Sequence, residues 1–113
     1  MALKRKLRLK KREFSLVKNK GKLVRGKELS LLIFFPKKEK EARFGFLLSR
    51  RVSSKAVERN KLKRQLVAVV KELLPRFQKK AWVIFLPHRE MKNRNFEEIK
   101  KETEEVLKKG GLL

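Results

Sequence analysis

The chain has no cysteine, which excludes a disulfide framework, a zinc finger, a thiolate metal site and a cysteine nucleophile. It has one histidine, His88, which follows Pro87 and precedes Arg89 and has no serine or cysteine nucleophile near it in sequence. A surface histidine is the expectation there. Long apolar runs are also missing. The longest, residues 29–35 with Ser30 inside it, falls far short of the ~20 residues a membrane helix requires. The basic start has no signal-peptide apolar stretch, so a soluble, cytoplasmic protein is expected. Acid is scarce: 12 Asp and Glu stand against 34 Lys and Arg, for a net charge of +22. Half of those acids fall between Glu90 and Glu105, where helix solvation accounts for them. Neither a carboxylate dyad nor an acidic metal cage is visible.

What is present is a core and a large positive field. The 113 residues, 41% hydrophobic, suit one domain spanning 1–113. The charge seeks a polyanion, with nucleic acid the default partner and no membrane expected. Residues 1–10 alternate Lys and Arg with Leu3, Leu7 and Leu9 and read as a mobile basic arm. A short helix over 11–19 carries Phe14 and Val17 on one side and ends before Gly21 as a left-handed cap.

Residues 29–35 and 44–48 read as two strands of a β-hairpin around Pro36 and the charged stretch 37–41. Alternation puts Leu29, Leu31, Ile33, Phe35, Phe44, Phe46 and Leu48 on one apolar face. The other face is mixed: Ser30, Leu32, Phe34, Arg43, Gly45, Leu47 and Ser49. Gly45 leaves a gap in it for another backbone or a ligand. A helix over 56–74 follows from the spacing of Leu62, Leu66, Val69, Val70 and Leu73, stopped by Pro75. Residues 81–86 form a central strand, apolar on both faces. The last helix starts on an Asn95/Glu98 capping box and closes at Gly110.

The densest functional feature is Lys55, Arg59, Asn60, Lys61, Lys63 and Arg64 in the first turns of the long helix. Asn60, Lys61 and Arg64 spread opposite the apolar stripe, while Arg59 and Lys63 flank it with heads reaching outward to phosphate. Clustering of one sign on one element is an electrostatic footprint of phosphate recognition. By contrast, Gly21, Gly26 and Lys27 imitate a phosphate-cradling loop only in spacing. Glu28 stands where a hydroxyl is needed, and the segment follows a helix. Phe14 either anchors its helix or offers a ring on which a base could stack.

Residues 43–52, RFGFLLSRRV, and 56–64, AVERNKLKR, resemble the protein subunit of bacterial ribonuclease P. The upstream block around Phe14, the strand at 29–35 and the closing strand and helix share the resemblance. It implies an α+β fold, an α/β sandwich of order α-β-β-β-α-β-α with a left-handed β-α-β crossover. It also implies an accessory role in an endoribonuclease whose catalyst is an RNA subunit with RNA-bound Mg2+, trimming the 5′ leader of precursor tRNA.

Carried onto this chain, the resemblance assigns Arg50, Arg51, Lys55, Arg59, Asn60, Lys61, Lys63 and Arg64 to the catalytic RNA. It assigns Phe14, Val17, Lys18, Ser30, Leu32, Phe34, Arg43, Gly45, Leu47 and Ser49 to the single-stranded leader. No catalytic residue in this chain and no DNA partner are expected. Three kinds of departure from the family pattern stand out: Lys18 and Leu32 replace common aromatics, Lys61 replaces an arginine, and Ser53-Ser54 replaces a glycine turn. The competing reading is a small basic ribosomal protein that binds rRNA structurally.

Overall fold

Seven elements follow one another in the computed structural model, which describes residues 3–37 and 41–113. They are α1 (Lys11–Lys20), β1 (Lys22–Arg25), β2 (Leu29–Phe34), β3 (Arg43–Phe46), α2 (Ala56–Leu73), β4 (Trp82–Pro87) and α3 (Phe96–Lys109). The expected α-β-β-β-α-β-α order is therefore observed. The strands make one mixed sheet in the order β1-β2-β4-β3, antiparallel except for the β3·β4 pair. No helix among the described residues is long and apolar enough to cross a membrane.

The expected hairpin between β2 and β3 does not form, because β4 lies between them. The reason is the composition of β4. A strand buried on both faces cannot leave a row of N–H and C=O groups unpaired at a sheet edge, so it takes a partner on each side. β2 instead makes its hairpin with β1, where Gly26 N–H donates to Leu29 O at 2.8 Å. Part of the charged β2–β3 connection, residues 38–40, lies outside the described residues.

On one face of the sheet, Leu29, Leu31, Ile33, Phe44, Val83 and Phe85 meet the α2 stripe (Leu62, Leu66, Val69, Val70, Leu73) and Ile99, Val106 and Leu107 of α3. All of these are buried, and truncating one such leucine costs about 2–5 kcal/mol. Phe35, expected on this face, lies beyond the end of β2 and is half exposed. The capping box of α3 forms as read: Asn95 Oδ1 accepts from Glu98 N–H at 2.9 Å, and Glu98 Oε1 accepts from Asn95 N–H at 3.0 Å. The helix closes through Gly110, but the left-handed residue is Gly111 (φ 80°). Leu112 N–H then reaches back to Leu107 O.

Among the described residues, α1 is the helix on the opposite face, with Leu9 packed beside it. Register sorts its residues into three rows: Phe34, Trp82 and Arg43; then Leu23, Leu32, Ile84 and Gly45; then Arg25, Ser30 and Leu86. Val17 packs with Trp82 and Ile84, and Phe14 lies against Gly45, so α1 covers the first two rows. Gly21 is not left-handed (φ −71°). Glycine is needed there because a Cβ would stand 2.5 Å from Val17 O.

The basic arm is not free where it is described. Leu3 is buried, Arg5–Leu7 forms a 3-10 turn, Arg8 bridges to Phe44, and Leu9 N–H donates to Phe44 O at 3.0 Å. The edge of β3 supplies the partner that the charge count of the segment concealed.

Candidate nucleic-acid interface

The start of α2 is fixed by its own side chains. Ser53, buried, donates its hydroxyl to Glu58 Oε1 and accepts from Lys55 N–H at 3.1 Å. Arg59 Nη1 donates to Ser53 O at 2.8 Å. Arg59 was expected to hold its head outward, yet it turns back to fasten the turn that precedes its helix. Glu58 is held below its ordinary carboxylate pKa, first by the Ser53 hydroxyl and then by Lys92 and Lys55, so it is charged while it braces this turn. Ser53 thus acts as a hydrogen-bonded lock at the turn before α2.

Around this lock Arg50, Arg51, Lys55, Asn60, Lys61, Lys63 and Arg64 are all exposed. Val57 stands among them at 77% exposure, an apolar side chain that sequence reasoning passed over because it breaks no helical pattern. The surface continues past α2. A groove of about 470 Å³ is lined by Asn60, Lys63 and Arg64 on one side, Phe14 on the other, and Gly45 and Phe46 between them. The structure therefore brings Asn60, Lys63 and Arg64 of one sequence-predicted set to Phe14 and Gly45 of the other across the β3 edge. Arg8 joins the same groove, a residue missed because its segment was read as an unpacked arm.

The gap expected at Gly45 is filled from within. A Cβ there would meet Phe14 Cδ2 and Cε2 at 2.9 Å and Leu9 Cδ1 at 3.1 Å. The glycine thus seats the Phe14 ring, which is half-buried and keeps one side toward the groove. Val17 is fully buried and acts as the wedge of α1; it presents no surface to a strand of RNA. Leu32, Phe34 and Arg43 are half-buried beside it, and Lys18 is exposed on the outer side of α1.

The third row opens into a second groove of about 840 Å³, where Leu47 and Ser49 lie with Arg25, Arg51 and Arg89. Ser30 is buried there, and its Oγ is 2.8 Å from His88 Nε2. His88 Nδ1 is 3.2 Å from Lys27 O, a carbonyl that can only accept, so Nδ1 carries a proton toward it. His88 is accordingly a half-buried connector at the groove, in place of the expected surface histidine. Parity was the available signal: Leu86 and His88 share a face at a spacing of two. Arg25 could have been found the same way, two residues beyond Leu23 on β1.

A family model described as Ribonuclease P matches residues 3–111. The ribonuclease P protein component of Pseudanabaena sp. (strain PCC 6903) is 34% identical over 107 residues, covering 94% of this chain and 92% of the relative. That of Synechocystis sp. (strain ATCC 27184 / PCC 6803 / Kazusa) is 31% identical over 114 residues, covering 100% and 92%. In fold, the chain is similar to a mutant of the Staphylococcus aureus RNase P protein, with a TM-score of 0.87 at 24% identity over 96% of this chain and 91% of that one. It is also similar to the Thermotoga maritima RNase P protein, with a TM-score of 0.80 at 22% identity over 90% and 96%.

Proposed function

The chain belongs to the ribonuclease P protein family, and on that premise we propose that it holds the catalytic RNA on the face of α2 and the 5′ leader of precursor tRNA beside α1. In this reading it assists RNA-catalysed endonucleolytic removal of the leader, in the cytoplasm, and supplies no catalytic residue itself. The observation that carries the reading is the groove joining Phe14 to Lys63 and Arg64. One strand lying along the sheet reaches the same cations that face a second strand.

The chain's own contribution is charge neutralisation and positioning. Arg50, Arg51, Lys55, Asn60, Lys61, Lys63 and Arg64 meet phosphates of the catalytic RNA, and each neutralised phosphate adds affinity that salt removes. Arg59 sets the turn from which they project. The Phe14 ring, Leu47, Ser49, Lys18 and the half-buried Leu32, Phe34, Arg43 and Gly45 form the leader surface, extended by Arg25, His88 and Arg89. An extended single strand offers bases to the ring and phosphates to the basic rim without requiring one sequence. Holding both strands in register makes the encounter of leader and catalyst effectively intramolecular.

Magnesium supplies the activated water in RNA-catalysed hydrolysis of this class. Among the described residues no three His, Cys, Asp or Glu side chains gather where a metal could be held. This reading assigns the ion no protein ligand set and places it on the RNA.

A photo-crosslinking amino acid at position 14 tests the assignment. With catalytic RNA present it should capture leader nucleotides of precursor tRNA. Capture of ribosomal RNA alone would instead favour a structural rRNA-binding protein.

A further inference from the structure

At the far end of the sheet from the third-row groove, where β3 and β4 begin and α2 ends, lies a groove of about 680 Å³ that neither the α2 face nor the leader surface includes. Its rim carries Lys4, Lys6, Lys71, Lys79 and Lys80, contributed by three separate parts of the chain. The acid that lines it, Glu41, is 3.8 Å from Lys6 and is offset by it. Among the described residues, the lysines left without an offsetting acid around one concavity repel one another and favour a polyanion that enters between them. The floor is apolar, made by Leu7, Leu74 and the half-buried Phe77, whose ring packs edge-on to Phe44. Outside the groove's lining, Lys79 Nζ stands 5.7 Å over the ring of Phe35, which is half exposed. Aromatic faces beside lysines suit unstacked bases and their phosphates, whereas the backbone of a duplex would leave the apolar floor uncovered. Lysine's compact charge, in place of arginine's fork, fits recognition of a backbone without a fixed geometry.

We propose that this lysine-rimmed groove is a separate binding site for single-stranded RNA. The strand is an unpaired segment of the catalytic RNA, because Lys71 carries the rim along α2, the helix that meets that RNA in the reading above.

The test uses the full chain and a short oligouridylate carrying 4-thiouridine, crosslinked by long-wave ultraviolet light and mapped by peptide mass spectrometry. Adducts on the peptide containing residues 77–80, distinct from those near Phe14, support the site. Lys71→Gln/Lys80→Gln should lose most of those adducts and lower the slope of log affinity against log salt by about 1.4, while an equal charge loss on α3, Lys101→Gln/Lys108→Gln, keeps the adducts. Adducts near Phe14 alone would overturn this site and leave the leader reading standing. Adducts at 77–80 alone would do the reverse. Equal loss in both double variants, or better competition by duplex than by single-stranded RNA, would also overturn the proposal. In the assembled ribonucleoprotein, 4-thiouridine placed in the catalytic RNA should give adducts at 77–80, whereas adducts there only from the substrate extension, or from neither RNA, would overturn the proposal.

Discussion

Replacing Gly45 by alanine isolates the contact that positions α1. The backbone at Gly45 has no positive φ, so alanine meets no conformational barrier. The new methyl would nonetheless stand 2.9 Å from two ring carbons of Phe14, where carbon atoms prefer roughly 3.5–4.0 Å. The ring and the N-terminal half of α1 must retreat, an overpacking cost of about 1–3 kcal/mol. Reduced freedom of the unfolded chain returns about 0.5–1 kcal/mol. The net loss is then about 0.5–2 kcal/mol, and Tm should fall by roughly 2–10 °C in a thermal melt. Phe14→Leu removes the obstructing ring edge, so Gly45→Ala should cost less in that background, with a coupling of about 0.5 kcal/mol or more. A higher Tm for Gly45→Ala, or strict additivity in the double-mutant cycle, would refute the claim that the glycine exists to seat Phe14.

Other outcomes follow from particular contacts. Arg59→Ala should lower both Tm and affinity for the catalytic RNA, because Arg59 ties down Ser53 O, whereas Lys63→Ala should leave stability within about 0.5 kcal/mol of the parent and weaken RNA binding alone. Thermal melts and salt-titrated binding separate the two, and identical behaviour would dismiss the lock. Asn95→Ala should cost about 1 kcal/mol through loss of the α3 cap, measured by urea unfolding; no loss would mean the cap is idle. Glu28 is held below its ordinary pKa of 4.5, first by the Arg94 hydrogen bonds (2.6–2.9 Å), so the stability it contributes is present above 4.5 and lost as pH falls through the lowered value. The stability gap between the parent and Glu28→Gln should therefore be constant near neutral pH and close in acid. A gap that widens in acid would contradict the sign.

The parts that sequence made legible are those governed by a period. The 3.6-residue spacing from Leu62 to Leu73 and the alternation of Leu29, Leu31 and Ile33 located the core, and Asn95 with Glu98 marked a helix start. Pairing was another matter, since β2 and β3 are neighbours along the chain but not in the sheet. The deciding quantity was the need of β4 for partners on both edges, a property of the whole sheet. Charge also concealed packing: Leu3 and Leu7 dock although their segment looks too basic to fold, because lysine and arginine stems extend and leave their heads in water. The basic cluster on α2 was visible as residues, but its lock, in which Arg59 turns inward, required coordinates. His88 meets Ser30 from 58 positions away, which no local pattern could announce.

The central claim is that this polypeptide arranges two RNA strands and leaves hydrolysis to one of them. The direct measurement is precursor tRNA cleavage at low magnesium with the catalytic RNA alone, the purified protein alone, and the two combined. Correct 5′ processing should appear with the combination and be absent with the protein alone. Cleavage by nuclease-free, RNA-free protein, or a combination no faster than the RNA alone, would contradict it.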